Sequence, residues 1–283
     1  MANWAAFAVV SEDGGHDLYE SRSGAVGIDL DLLAGPGAVL PFARSHPAAE
    51  HWRDDLHCEG GALIDPYREV LLFFAWEGPS VRMRHRAAFM ELMRRAWPGW
   101  RLRWAYGGPA ELRSHPGPAP APEVPGGRNP DVYPGPAIGP DDEDLADDDP
   151  LVCAVTVGTG RCHAITDLGD HPVAEGPGLL GRLASAPRHR ACRWAAESGI
   201  HIDPERRRVG WWLLDVQAGA YAMAERWPGW TVEFWEDRWE EHVRASGGLF
   251  APPPADRGRA LAEVREEALR RLPGRSGTAG TVL

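Results

Sequence analysis

The sequence predicts an α+β protein made of two divergent tandem copies of one module, each a mostly antiparallel sheet of about five strands with helices on one face. Three observations predict it. The tetrapeptide Trp97-Pro98-Gly99-Trp100 recurs as Trp227-Pro228-Gly229-Trp230. Other anchors recur in the same order: Gly35-Pro36-Gly37 with Gly176-Pro177-Gly178, Glu59 and Gly61 with Glu197 and Gly199, Ile64-Asp65-Pro66 with Ile202-Asp203-Pro204, and His16 with His163. The separation of matched residues falls along the chain from 147 through 141 and 138 to 130, as small deletions in the loops of a duplicated domain would produce.

Each copy opens with a hairpin. Phe7–Val10 turns through Asp13-Gly14-Gly15 into His16–Glu20, and Val152–Val157 turns through Gly158–Arg161 into His163–Asp167. Gly and Asp tolerate the positive φ of tight hairpin turns. A Gly-Pro-Gly start then leads into a short helix, Ala38–Ala43 or Leu179–Ala184. Proline suits the first helical turn, where its missing N–H has no intrahelical partner to lose.

A second hairpin turns at Asp65-Pro66 or Asp203-Pro204. Proline pre-sets φ there, and the aspartate bonds back to the backbone. The outgoing strands, Val70–Trp76 and Val209–Val216, are almost wholly apolar and read as central strands.

A helix follows in each copy. Phe89, Leu92, Met93, Ala96 and Trp97 form one apolar stripe, as do Ala220, Met223, Ala224 and Trp227. Pro98 and Pro228 stop these helices, because the residue before proline is driven out of the helical region. The last strand alternates. Trp100, Leu102, Trp104 and Tyr106 face one way and Arg101 and Arg103 the other, with Trp230, Val232 and Phe234 repeating the pattern. Short helices, Pro109–His115 and Arg238–Ala245, close the modules.

The expected boundaries are residues 1–115 for the first copy, 116–150 for a Pro/Gly-rich then acidic flexible linker, and 151–247 for the second copy. A C-terminal extension, 248–283, carries an amphipathic helix at Arg259–Leu272 with Leu261, Val264, Ala268 and Leu269 on its stripe. The two copies are expected to pack as an intramolecular pseudo-dimer.

Composition excludes several chemistries. All 30 basic residues are arginine, so the chain has no lysine. Schiff-base chemistry, a Walker A lysine and a kinase-type lysine are therefore excluded. The bias to Ala, Arg, Gly and Pro suggests a GC-rich bacterial origin. Net charge is −11, but Asp141–Asp149 carries seven carboxylates, and the rest of the chain is only mildly acidic. Neither nucleic acid nor an anionic membrane is an expected partner. No apolar run is long enough to cross a bilayer, and Met1–Val10 reads as a strand rather than a signal peptide. The four cysteines, Cys58, Cys153, Cys162 and Cys192, form a poor disulfide framework, so a reduced cytoplasmic setting is expected.

Candidate chemistry is sparse. Asp65 and Asp203 recur, each followed by an arginine, Arg68 or Arg206. They are either paired carboxylates for acid/base work or turn formers. His16 and His163 are candidate bases by their titration range. His189 and Cys192 have the spacing of a metal half-site on a helix, but zinc needs a second such pair, so no metal and no cofactor are expected. Cys58 beside His57 lacks the arrangement a cysteine nucleophile requires. Trp211 and Trp212, with Arg68 and Arg206, are candidates for binding a planar or anionic ligand in a cleft between the modules. The recurring residues are mainly Gly, Pro, Trp and aliphatic, which specify fold. The resulting expectation is a non-enzymatic protein-binding protein, immunity-like or regulatory, with an enzyme or small-molecule binder as the alternative.

Overall fold

The computed structural model describes residues 3–53, 57–115, 152–165 and 170–271. The expected linker and its acidic run lie outside these residues. The chain forms two compact units: the first takes the residues up to His115 and those from Ala255 onward, and the second runs from Val152 to Pro254.

In the first unit β1 (Trp4–Val10) and β2 (His16–Ser21) form a hairpin, followed by helices α1 (Ile28–Leu32) and α2 (Pro36–Arg44). β3 (Cys58–Asp65) and β4 (Val70–Ala75) form the second hairpin, and α3 (Met83–Ala96), β5 (Arg101–Trp104) and α4 (Pro109–Ser114) complete the repeat. The strand order is β2-β1-β3-β4-β5. The second unit repeats it with β6 (Cys153–Val157), β7 (Arg161–Ile165), α5 (Gly178–Ala184), β8 (Ser198–Asp203), β9 (Arg208–Leu213), β10 (Thr231–Phe234) and α6 (Trp239–Ala245), in the order β10-β9-β8-β6-β7. The α+β class and the two-module layout are as the sequence predicts.

Two features of the expected sheet are corrected. The sheets are mixed: β1 pairs antiparallel with β2 but parallel with β3, and β4 antiparallel with β3 but parallel with β5. Parallel neighbours arise because helical crossovers, not hairpins, join β2 to β3 and β4 to β5. Elements also cover both sheet faces. Phe73 meets Phe89 of α3 on one face, while Leu112 of α4 lies against Gly61 on the other. That is why every residue of β4 is buried.

The two recurring motifs interlock. In the first unit the indole Nε1–H of Trp97 donates to the carbonyl of Leu32 at 2.8 Å, and in the second Trp227 donates to Val173 at 2.8 Å. Three residues beyond each acceptor stands the first glycine of Gly-Pro-Gly. Gly35 has φ +76, and a Cβ there would lie 2.6 Å from the Ala96 carbonyl oxygen. Gly176 has φ +63, and a Cβ there would lie 2.3 Å from the Arg226 oxygen. Only glycine fits such a conformation and approach. Trp97 and Trp227 are buried and meet Trp100 and Trp230 edge-to-face.

Other expectations shift. Residues Ala220–Arg226 form a 3-10 helix rather than an α-helix. With three residues per turn, Ala220 and Met223 are buried while Ala224 is exposed. α7 (Arg257–Arg271) packs on α3 and α1 of the first unit through Ala260, Val264 and Ala268, whose small side chains permit close approach, and Leu269 is exposed. Ion pairs of Arg257 with Glu91 and Arg271 with Asp31, and a hydrogen bond between His85 and Glu263, flank the seam. Among the described residues no helix is long and apolar enough to cross a membrane.

Gly35→Ala should destabilise the first unit by about 2 kcal/mol or more, combining a strained φ with a backbone clash. Gly37→Ala, where a Cβ meets nothing within 4 Å, should be neutral or stabilising by up to about 1 kcal/mol. Urea unfolding of the two variants checks the contrast.

Candidate functional site

The sequence-predicted residues divide clearly. Asp65 accepts the N–H groups of Tyr67 and Arg68, and Asp203 accepts that of Arg206, so both aspartates build turns. Arg68 and Arg206 each pair with their own turn aspartate, at 3.5 and 2.9 Å. His16 Nε2 accepts from the Trp52 indole at 3.1 Å. His163 is buried, its Nδ1 2.6 Å from the Pro187 oxygen. The two histidines are not equivalent. Taking Val9 and Val157 as counterparts, register pairs Phe7 with Tyr19 and Val155 with His163, so Tyr19 occupies the position of His163. The shorter turn of the second hairpin produces the offset. Trp211 and Trp212 are fully buried and belong to the core, not to a ligand surface.

Cys162 and Cys192 form a disulfide, with Cα atoms 6.4 Å apart. This overturns the reduced-cysteine expectation and commits Cys192 to sulfur rather than metal. The bond forms because the chain at His189 pairs with β7 at Cys162 and brings Cys192 alongside. Such bonds are commoner in oxidising compartments than in the cytoplasm. Among the described residues no group of three or more His, Cys, Asp or Glu side chains is placed to hold a metal ion. Cys58 is buried.

A different constellation emerges on the α6 face of the second sheet. Thr156, His201, Gly210 and Glu233 lie side by side across β6, β8, β9 and β10. Thr156 Oγ1 is 2.8 Å from His201 Nδ1 and 2.7 Å from His242 Nε2, and the Trp212 indole donates to His242 Nδ1 at 3.1 Å. An indole can only donate, so His242 Nδ1 carries a lone pair and Nε2 a hydrogen. That hydrogen goes to Thr156, whose hydroxyl then donates to His201 Nδ1. The neutral His201 ring is left with its hydrogen on Nε2.

His201 lines a cavity of about 190 Å³ with Asp203, Arg206, Arg208, Glu233 and Trp235. Arg206 pairs with Asp203 and Arg208 with Glu233. The N–H of Arg206 holds the Asp203 carboxyl below its ordinary range, and the Arg208 guanidinium does the same for Glu233. Burial pushes both imidazoles below the ordinary histidine range, His242 strongly, with the neighbouring His201 adding to the effect. Protonating His201 would turn the acceptor of the Thr156 hydroxyl hydrogen into a donor, and protonating His242 would set an Nδ1 hydrogen against the Trp212 indole N–H.

The first unit shows what the fold alone requires. At the register positions of Thr156, His201, Gly210 and Trp212 it has Ala8, Leu63, Leu72 and Phe74. Leu112 lies over Gly61 as His242 lies over Gly199. Arg103 stands at the position of Glu233, and Ala105, whose N–H bonds Phe73, at that of Trp235, whose N–H bonds Trp211. A continuous hydrogen-bonded chain in one copy is thus an aliphatic and aromatic core in the other. Sequence reasoning missed this site, although aligning the copies on their Ile-Asp-Pro turns sets Leu63 against His201 and Leu72 against Gly210.

A second buried pair is chemically quiet. Cys153 Sγ is 3.7 Å from His171 Nε2, while His171 Nδ1 accepts the Val173 N–H at 3.1 Å. The ring nitrogen facing the sulfur therefore holds the hydrogen and cannot take one. Burial pushes the thiol up to about 12 and the imidazole down to about 3.

Fold and site together define a duplicated α+β protein with one copy specialised by a buried polar network. In comparisons with protein families, curated proteins and solved structures, the chain matches none.

The depressed histidines fix a pH response. An unfolded histidine takes up its proton near 6.5, and His201 and His242 do so only at lower pH when folded. As pH falls below the unfolded value, the unfolded chain gains protons first and the contribution of these groups to stability is lost. Thr156→Ala/His201→Leu/Trp212→Phe/His242→Leu, which installs the residues of the first copy, should lose less stability than the parent between about pH 7 and about pH 5. Urea unfolding at the two pH values checks this.

Proposed function

We propose that this is a non-enzymatic protein-binding protein whose recognition site lies in the second unit, with the first unit a structural copy. The observation that carries the reading is the replacement of Ala8, Leu63, Phe74 and Leu112 by Thr156, His201, Trp212 and His242 at matched positions. A buried polar chain that the fold does not require serves to fix the His201 ring as a hydrogen-bond donor.

Binding suits the geometry better than catalysis. The lone pair of His201 is engaged by Thr156, so the ring presents an N–H rather than a base. Thr156, Cys58 and Cys153 are buried and present no nucleophile to the pocket. The cavity, about 190 Å³, is smaller than the roughly 300–1,000 Å³ of sites for small-molecule ligands and cofactors. It suits one side chain of a partner. An immunity-like or regulatory role, exerted by occupying that partner, is the corresponding biological reading.

The test is affinity isolation from cells that express the protein natively, with quantitative mass spectrometry. Parent protein should retain a stoichiometric polypeptide. Glu233→Arg, which places the residue of the first copy on the exposed rim, should reduce that retention at least tenfold, because it removes a carboxylate from the rim and sets a second guanidinium against Arg208. Arg103→Glu in the first unit should leave it unchanged. Equal retention by both variants would refute the assignment.

A further inference from the structure

We propose that the Cys162–Cys192 disulfide is a redox-operated fastener of the recognition face of the second unit: a dithiol reductant that opens it releases the hold on His201 and lowers partner binding. This adds regulation to the protein-binding reading and rests on it.

The argument starts from the sheet. Cys162 of β7 pairs directly with Thr156 of β6, and residues opposite each other on antiparallel strands project to the same face. The disulfide therefore stands on the α6 face beside Thr156, at the far end of the row that runs through His201 to Glu233. Its other half, Cys192, is bonded to the strip that follows α6. The Cys192 N–H donates to the Leu249 carbonyl at 2.7 Å, and the Ala251 N–H donates to the Cys192 carbonyl at 2.9 Å. Phe250, between them, is fully buried and stacks on the His242 ring with centroids 4.6 Å apart. One covalent bond thus ties the β7 edge to the ring that covers His242. His242 in turn holds Thr156, and Thr156 holds His201.

The fold does not require this bond. In the first unit Leu18 pairs with Ala8 as Cys162 pairs with Thr156. The Ala49 N–H donates to Leu18 as the His189 N–H donates to Cys162, both at 2.8 Å. Three residues further on stand Trp52 and Cys192. The first unit therefore caps the same strand edge with a leucine and a tryptophan, which cannot be cross-linked. Disulfide and polar network occur together in one copy.

Burial sets how the bond is reached. Both half-cystines are 0% exposed, and exchange needs a thiolate in contact with sulfur. The strip at Phe250 is held to Cys192 by a single bridge and continues through residues 251–256 with no regular structure. A segment with so few backbone bonds opens locally, without global unfolding. In the open form a thiolate of the dithiol attacks one sulfur. The S–S bond breaks, a mixed disulfide forms and the departing thiolate takes a proton from water. The second thiol of the reductant gives up its proton and displaces the remaining cysteine, which is protonated in turn. Two electrons have then passed from the reductant, now a disulfide, to Cys162 and Cys192, now thiols. The loop of 30 positions is no longer closed, so the open form, in which Phe250 has left His242, gains population. Water then reaches the His242–Thr156 pair, and His201 loses the hydroxyl that keeps its hydrogen on Nε2.

The experiment uses the full chain, oxidised and then treated with dithiothreitol. Mass spectrometry should find two added hydrogens in protein that is still folded. Amide hydrogen exchange at Cys192, Phe250 and Ala251 should rise at least about tenfold, while the amides of β3 and β4 keep their rates. Nitrogen NMR of the His201 imidazole, assigned through His201→Gln, should change from one Nε2–H tautomer to a mixture. Re-oxidation should restore both readouts. Cys162→Ala/Cys192→Ala should reproduce the reduced state and retain at least about tenfold less polypeptide from native cells than the parent. A bond that resists dithiothreitol until the unit unfolds, or reduction that leaves the His201 signal unchanged, would overturn the proposal.

The two readings can fail separately. Equal retention of one polypeptide by the parent and the double alanine variant would remove the switch and keep the binding-protein reading. No polypeptide retained by the parent, beside a His201 signal that follows reduction, would remove the binding-protein reading and keep the fastener.

Discussion

One hydrogen bond holds each module in register: the tryptophan indole reaching across to a carbonyl of a short helical segment, Trp97 to Leu32 and Trp227 to Val173. An indole N–H buried in a core must find an acceptor, because its lost hydration is otherwise uncompensated. The acceptor here belongs to a short helical segment, and the glycine three residues later passes against the carbonyl of the residue before the tryptophan. The crossover that leads into the third strand of each unit is thereby fastened to the segment that leads into the last. Proline and glycine after the tryptophan then reverse the chain, so the edge strand starts from a fixed point. In the second unit that edge strand carries Glu233 and is followed by Trp235, so the position of the pocket wall depends on this bond.

The lock tolerates change around it. The first unit reaches its tryptophan through α3, fourteen residues long, and the second through a seven-residue 3-10 helix. Both end in a tryptophan with near-identical φ and ψ, at −121 and 63 or −119 and 65. The helix therefore serves as a spacer whose length can vary, provided its end meets the loop. The longer α3 also offers a flank on which α7 docks, which explains why the C-terminal helix belongs to the first unit.

Legibility in the sequence followed locality. The turns at Asp65 and Asp203, the alternation in β5 and the apolar stripe of α3 are set by residues within a few positions of one another. The parallel pairing of β1 with β3 is not local, since it depends on how the intervening helices cross. The glycine turns before His16 and His163 suggest that the two histidines match, and one shortened hairpin shifts the register so that they do not. The polar chain was hidden for the same reason. Thr156, His201 and His242 are separated by 45 and 86 positions from the threonine, and each alone reads as an ordinary strand or helix residue. Trp211 and Trp212 misled in the opposite sense. Adjacent strand residues face opposite sides, and in a sheet covered on both faces each is buried.

The pocket itself follows from an exchange of volume between two strands. The first unit fills the space with Leu72 on its central strand and leaves small Ala105 after its edge strand. The second unit has Gly210 and Trp235 at those positions. Moving the bulk from the centre of the sheet to its edge keeps the layer covered, because the indole lies over the glycine. It also leaves His201 beside the Trp235 indole rather than beside a leucine. An imidazole in that position needs a partner for Nδ1, which Thr156 supplies. Thr156 in turn needs a donor for its oxygen, which His242 supplies, and His242 needs the Trp212 indole. Each substitution relative to the first copy is thus required by the one before it, and the series begins at the only member that faces the cavity.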